Sequence, residues 1–148
     1  SMTRKYEYAF TAALVPITSR KVKPWSLVLI NAYDIRKDTM KNIGDQPFVE
    51  EEGYITNGED YFTIRAIRVE SYRNKKGKEI KILGGPVMTG YEIGRNGKPV
   101  SLIDVMHNHV WISNLISADE KLLMASASSA ILLKRLQDIE KRESVAGN

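Results

Sequence analysis

Three stretches of this 148-residue chain carry residue types whose spacing could do chemistry. Glu79-Ile80-Lys81 places a carboxylate and an ammonium on one side of an extended segment, with Asp60 nineteen residues upstream. Two carboxylates and a lysine are what a metal-dependent nuclease or hydrolase needs to hold Mg²⁺ and steady a phosphate. His107 and His109 are the chain's two histidines. At i and i+2 of a strand they would share a face and offer two imidazoles to one metal, with Asp104 or a distant carboxylate completing the set. The third stretch, Tyr61 to Leu83, interleaves Tyr61, Arg65, Arg68 and Tyr72 with Lys75, Lys76, Lys78 and Lys81. Cations for phosphates and aromatics for bases are the ingredients of a nucleic-acid interface.

Each reading has a plainer competitor. If Tyr61–Leu83 is one hairpin turning at Asn74–Lys78, Asp60 lies more than ten residues from Glu79, over roughly 30 Å at about 3.3 Å per residue. The preferred reading of Glu79 and Lys81 is then a solvated strand face with cross-strand pairs. His-x-His alone is a weak metal signal, and core or interface histidines are preferred. The glycines near Arg95 and Gly84-Gly85-Pro86 are explained by turns. Ser126, Ser128 and Ser129 fit small residues on a packed helix, and Trp25 and Trp111 fit core or rim. No catalytic residue is assigned and no cofactor is implied. The basic hairpin face remains the best binding candidate, opposed by the reading that Arg, Lys and Tyr merely solubilise an exposed strand.

The charge distribution supports a polarised surface. The net charge of +4 divides into +5 over residues 1–41, −6 over 42–60, +5 over 61–81 and zero over 82–148. Such blocks can steer a charged partner. The absence of cysteine excludes disulfides, thiolate metal sites and cysteine nucleophiles, and suits a reducing compartment. No apolar run approaches a membrane span, and no leader pattern is recognised, so the expectation is a cytoplasmic protein.

The elements that must position these residues read as one domain over 2–148. Tyr6–Ile17 and Pro24–Ile35 look like strands. Residues 36–57 read as an irregular acidic connection, with one helical turn near Asp38–Asn42. In the basic stretch Phe62, Ile64 and Ala66 alternate inward, whereas Ile67 and Val69 continue on the opposite parity. A β-bulge near Ala66–Ile67 would restore one buried face, leaving Tyr61, Thr63, Arg65, Arg68, Glu70 and Tyr72 outward. Asn96-Gly97 marks a second, tight hairpin. Ser117-Ala118-Asp119-Glu120 is a capping box opening a helix over Ala118–Arg142, with Leu122, Leu123, Ala127, Ala130, Leu133, Leu136 and Ile139 along its apolar side. Residues 144–148 should fray.

The fold class expected is α+β: a mainly antiparallel sheet of about five to seven strands with one long C-terminal helix packed on it. The function expected is non-enzymatic binding of nucleic acid through the basic hairpin. Alternatives are a protein-interaction or inhibitor module contacting a larger macromolecule, and a metal-dependent nuclease or hydrolase. The small-residue centre of the helix, Ala125–Ala130, further suggests a homodimer through Ala118–Arg142.

Overall fold

The computed structural model describes residues 5–17, 23–34 and 49–147. Seven strands form one antiparallel meander: β1 (Lys5–Leu14), β2 (Trp25–Asp34), β3 (Val49–Thr56), β4 (Tyr61–Val69), β7 (Val87–Arg95), β8 (Lys98–Asp104) and β9 (His109–Ile112). Between β4 and β7 the chain leaves the sheet to make a separate two-stranded hairpin, β5 (Ser71–Arg73) and β6 (Glu79–Lys81). The chain ends in one helix, α1 (Ala118–Ala146). The fold is α+β, with a mostly antiparallel sheet and one long C-terminal helix.

Alternation decides which sheet face the helix covers. Leu27 and Leu29 of β2, Ile55 of β3, Phe62 and Ile64 of β4, Ile93 of β7 and Ile103 of β8 point to one side and are buried. Leu123, Met124, Ala127 and Ile131 of α1 are buried against them. Ala127 matters because a residue without a long side chain lets the helix axis approach the sheet. At the helix start the Ser117 hydroxyl accepts from the Glu120 amide, and the Glu120 carboxylate accepts from the Ser117 amide. Glu120 also pairs with Arg95. The Arg95 guanidinium lies 4.5 Å over the Phe62 ring, which in turn meets Trp25 at 5.8 Å. One carboxylate therefore caps the helix and ties it to the sheet.

Charge also reaches the covered side. Lys134 is buried and donates to Asp138 at 2.8 Å, one turn along the helix. The Tyr91 hydroxyl bonds the Glu51 carboxylate. Burial first, and then the neighbouring Glu51 charge, push the Tyr91 phenol well above its ordinary value.

Several sequence expectations are corrected. Residues 49–56 are not irregular: β3 pairs with β2 and β4, so this acidic run lies inside the sheet. Gly53 permits it, since a Cβ there would lie 2.2 Å from the Val28 carbonyl oxygen. The helical turn near Asp38–Asn42 lies outside the described residues. Tyr61–Leu83 is not one long hairpin, because β4 pairs with β3 and β7. The bulge is displaced to the Ile67/Arg68 step, with the extra residue, Thr89, on β7. Consequently β4 keeps its alternation, and Arg68 falls on the parity of Phe62 and Ile64. The apolar side of the helix is also revised. Leu123 and Ala127 face the core, whereas Leu122, Leu133, Leu136 and Ile139 are exposed. The helix continues to Ala146, beyond the expected end at Arg142.

Candidate nucleic-acid interface

The sheet face opposite α1 carries no layer among the described residues. On it the cross-strand pairs are polar and aromatic. Tyr54 and Tyr61 stack at 5.5 Å, and Arg65 donates to Glu92 at 2.9 Å. Further along, Ile67 of β4, Gly90 of β7, Leu102 of β8 and Trp111 of β9 surround a depression of about 270 Å³. Met106, His107 and Asp104 close its rim. Its floor depends on Gly90. A Cβ there would lie 1.9 Å from the Ile103 carbonyl oxygen, so any side chain would push β7 from β8.

The turn after β8 sets the rim. Asp104 accepts the amides of Met106 and His107 through Oδ1, and His107 Nδ1 through Oδ2 at 2.8 Å. These bonds favour the ionised carboxylate, and the His107 contact chiefly holds Asp104 below its usual range. Asn108 takes a positive φ of 57°, a conformation asparagine accepts more readily than most residues. The chain then returns with His109 stacked on His107 at 6.2 Å and edge-on to Trp111 at 5.8 Å. Trp111 is 55% exposed. An exposed indole with the His109 imidazole edge-on to it presents a π-rich surface beside apolar Leu102 and Met106.

The β5–β6 hairpin is rooted against this depression. Ile67 and Thr89 line the depression, and two residues further on Val69 pairs with Val87 at the base of the excursion. The hairpin turn is ordered by Asn74, whose side-chain oxygen accepts from the amides of Lys76 and Lys78, and by Gly77 at φ 75°. Arg73, Lys75, Lys76, Lys78 and Lys81 are exposed. Among the described residues none of these five has a carboxylate at salt-bridge distance. The hairpin's nearest acid, Glu79, is engaged by the Ser71 hydroxyl at 2.6 Å.

The structure thus divides the expected binding residues. Tyr61 and Arg65 lie on the open sheet face, and Arg68 has the opposite parity. Tyr72 pairs with Ile80 on one face of the small hairpin, while Lys81 pairs with Ser71 on the other. Lys75, Lys76 and Lys78 occupy its turn. Trp111, Met106 and Arg73 join the surface although the sequence reading gave them no binding role, and so does His109, which it weighed only as a metal ligand. The alternation of His109 and Trp111 opposite Asp104 and Leu102 was their available signal.

The enzymatic candidates are not assembled. Asp60 ends the β3–β4 turn, at the opposite end of β4 from the hairpin that carries Glu79. Nine residues of strand between them span about 30 Å. His107 sits in the turn, not on a strand beside His109. Among the described residues no three His, Asp or Glu side chains form a cluster able to hold a metal. No helix among them is long and apolar enough to cross a membrane. No protein-family model, curated protein or solved structure matches this chain.

Proposed function

We propose that this protein is a non-enzymatic binder of single-stranded nucleic acid, gripping phosphates with the β5–β6 hairpin and stacking bases on the adjoining open sheet face. The observation that carries this reading is a hairpin of five exposed cations, without a carboxylate at salt-bridge distance among the described residues, that grows from the two strands whose Ile67 and Thr89 line a depression walled by the exposed Trp111. Unpaired cations release condensed counterions when they meet phosphates, which is the main source of such affinity. An exposed indole stacks on any base whose face is free, and paired bases in a duplex do not offer theirs. The Tyr54–Tyr61 stack lies on the same face, six residues along β4 from Ile67, or about 20 Å. Two aromatic stations at that separation suit an extended strand. A cytoplasmic setting fits a chain without cysteine.

A protein partner is the second reading, favoured by exposed Leu102 and Met106 beside Trp111. Apolar surface of this kind is also what protein interfaces bury.

Fluorescence anisotropy with labelled single-stranded and duplex oligonucleotides separates the two. The expected result is preference for single strands, with log affinity falling linearly with log salt. Changing Lys75, Lys76 and Lys78 to Glu should reduce affinity at least tenfold at about 0.1 M salt and flatten that slope. Trp111→Ala should weaken binding while leaving the slope unchanged, because it removes stacking and no charge. Binding untouched by the triple variant would remove the hairpin. No binding to any oligonucleotide, with specific co-purification of a protein, would favour the second reading.

A further inference from the structure

A helix covered on one side is expected to be polar on the other. α1 departs from this. Behind the buried Leu123, Met124, Ala127 and Ile131 runs a second apolar stripe: Leu122, Ala125, Ser129, Leu133 and Leu136. Its leucines are 67%, 59% and 53% exposed in chain order, and Ala125 and Ser129 are exposed as well. The Ser129 hydroxyl donates back to the Ala125 carbonyl at 2.9 Å, which leaves its outward surface smooth and short.

We infer that this stripe is a homodimer interface, in which α1 of two copies of the chain pair antiparallel about Ser129. The occupant follows from the stripe's fit to its own reversal. Positions equidistant from Ser129 face one another across a twofold axis. Leu122 and Leu136 are each seven residues away, so leucine meets leucine at both ends. Leu133 and Ala125 are each four residues away, so a large side chain meets a small one, twice. Alternating large and small positions let facing helices interdigitate.

Charge argues only against the alternative, parallel pairing of Asp119, Lys121, Glu140 and Lys141. A parallel pairing would set each of these residues beside its own like-charged copy. An isologous contact of this kind is also the commonest oligomer geometry. The inference rests on α1 alone and is independent of what the open sheet face binds.

Sedimentation equilibrium of the full chain tests it, with self-encounter of residue 129 as the diagnostic. The wild type should sediment at twice its 16.7 kDa chain mass. Ser129→Glu and Ser129→Lys each bring two like charges together on the twofold axis, and each should sediment as a monomer with an unchanged circular-dichroism spectrum. Residue 129 is exposed, so neither change disturbs the core. Mixing the two variants in equal amounts should restore the dimer, because Glu then faces Lys. Leu115→Glu, exposed but ahead of the helix, should leave the wild-type mass unchanged. A monomeric wild type at high concentration overturns the inference. So does a mixture of the two Ser129 variants that remains monomeric, which would mean a different register or a different occupant.

Discussion

Neighbouring residues on β4 show how differently the two sheet faces are built. Phe62 points toward α1, is fully buried, and sits between Trp25 and the Arg95 guanidinium. Tyr61, one residue earlier, points away and is 53% exposed, with one ring contact to Tyr54. The covered face is specified by volume, because a close-packed layer penalises any missing methylene. The open face is specified by chemistry: its side chains meet in pairs that order them without burying them. Surface of that kind contributes little to folding and remains available to a ligand.

The sharpest way to break this contrast is to truncate both neighbours. Phe62→Ala should destabilise the fold by about 3–5 kcal/mol, since it opens a cavity and strips the platform beneath Arg95. Tyr61→Ala should lower stability by about 1 kcal/mol or less. Urea midpoints at unchanged slope measure both. A comparable loss for Tyr61→Ala would make the open face structural, and the binding proposal would lose its ground.

A second comparison asks whether charge on the covered side acts like charge on the open side. Lys134 is buried, and Asp138 is its partner. Asp138→Ala strands an ammonium in a poorly solvated place and should destabilise by about 2 kcal/mol, reduced from the fully buried case because Asp138 is itself 35% exposed. Lys134→Met removes the charge with its need for a partner, and should be neutral or stabilising by the same measurement. On the open face Arg65 meets Glu92 with its side chain 71% exposed. A double-mutant cycle there should return about 0.5 kcal/mol, shrinking with added salt. A coupling above about 2 kcal/mol would show that the open face is held as firmly as the covered one.

How much of this was legible in the sequence depended on how local the determining contact is. The Asn96-Gly97 turn, with φ of 53° and 74°, and the Ser117–Glu120 capping box close within four residues and were read correctly. The strand β3 was missed because Glu50-Glu51-Glu52-Gly53 has loop-like composition. Its period of two was nevertheless present, with Gly53 and Ile55 on one face and Glu52, Tyr54 and Thr56 on the other. Its acids are accommodated by partners remote in sequence, such as Tyr91 for Glu51. The bulge was anticipated from the parity change between Ala66 and Ile67, but parity on one strand cannot say which strand carries the extra residue. Ile67 resolves the conflict by facing the depression on the open side. In α1 the leucines form two stripes, and periodicity alone does not tell which faces the sheet. The core selected the stripe bearing Ala127, whose small side chain permits close approach. As for the candidate site, the cationic hairpin turn was legible as composition. That its base grows from strands lining the Trp111 depression was not, because this depends on the β4–β7 pairing across the excursion.

The smallest expected effect concerns Asp104, at the junction between fold and proposed site. Its folded pKa is depressed, chiefly by the His107 hydrogen bond, relative to the ordinary carboxylate value near 3.9. The turn's stabilisation by the carboxylate is therefore fully present above that ordinary range and is lost as pH falls through the lower, folded value. The group is half-buried at the sheet's end and bonds only its own turn, so the loss should be local, a loosening of the 105–108 turn with the sheet intact. An NMR titration should find the Asp104 carboxyl midpoint below 3.9, with the Met106 and His107 amides shifting in parallel, since both donate to it. Asp104→Asn keeps an oxygen that can accept those amides but carries no charge, so their acid transition should disappear while the Trp111 signals hold. A midpoint at or above the ordinary value would mean that the His107 contact does not persist in solution, leaving the rim of the depression to Met106 and Trp111 alone.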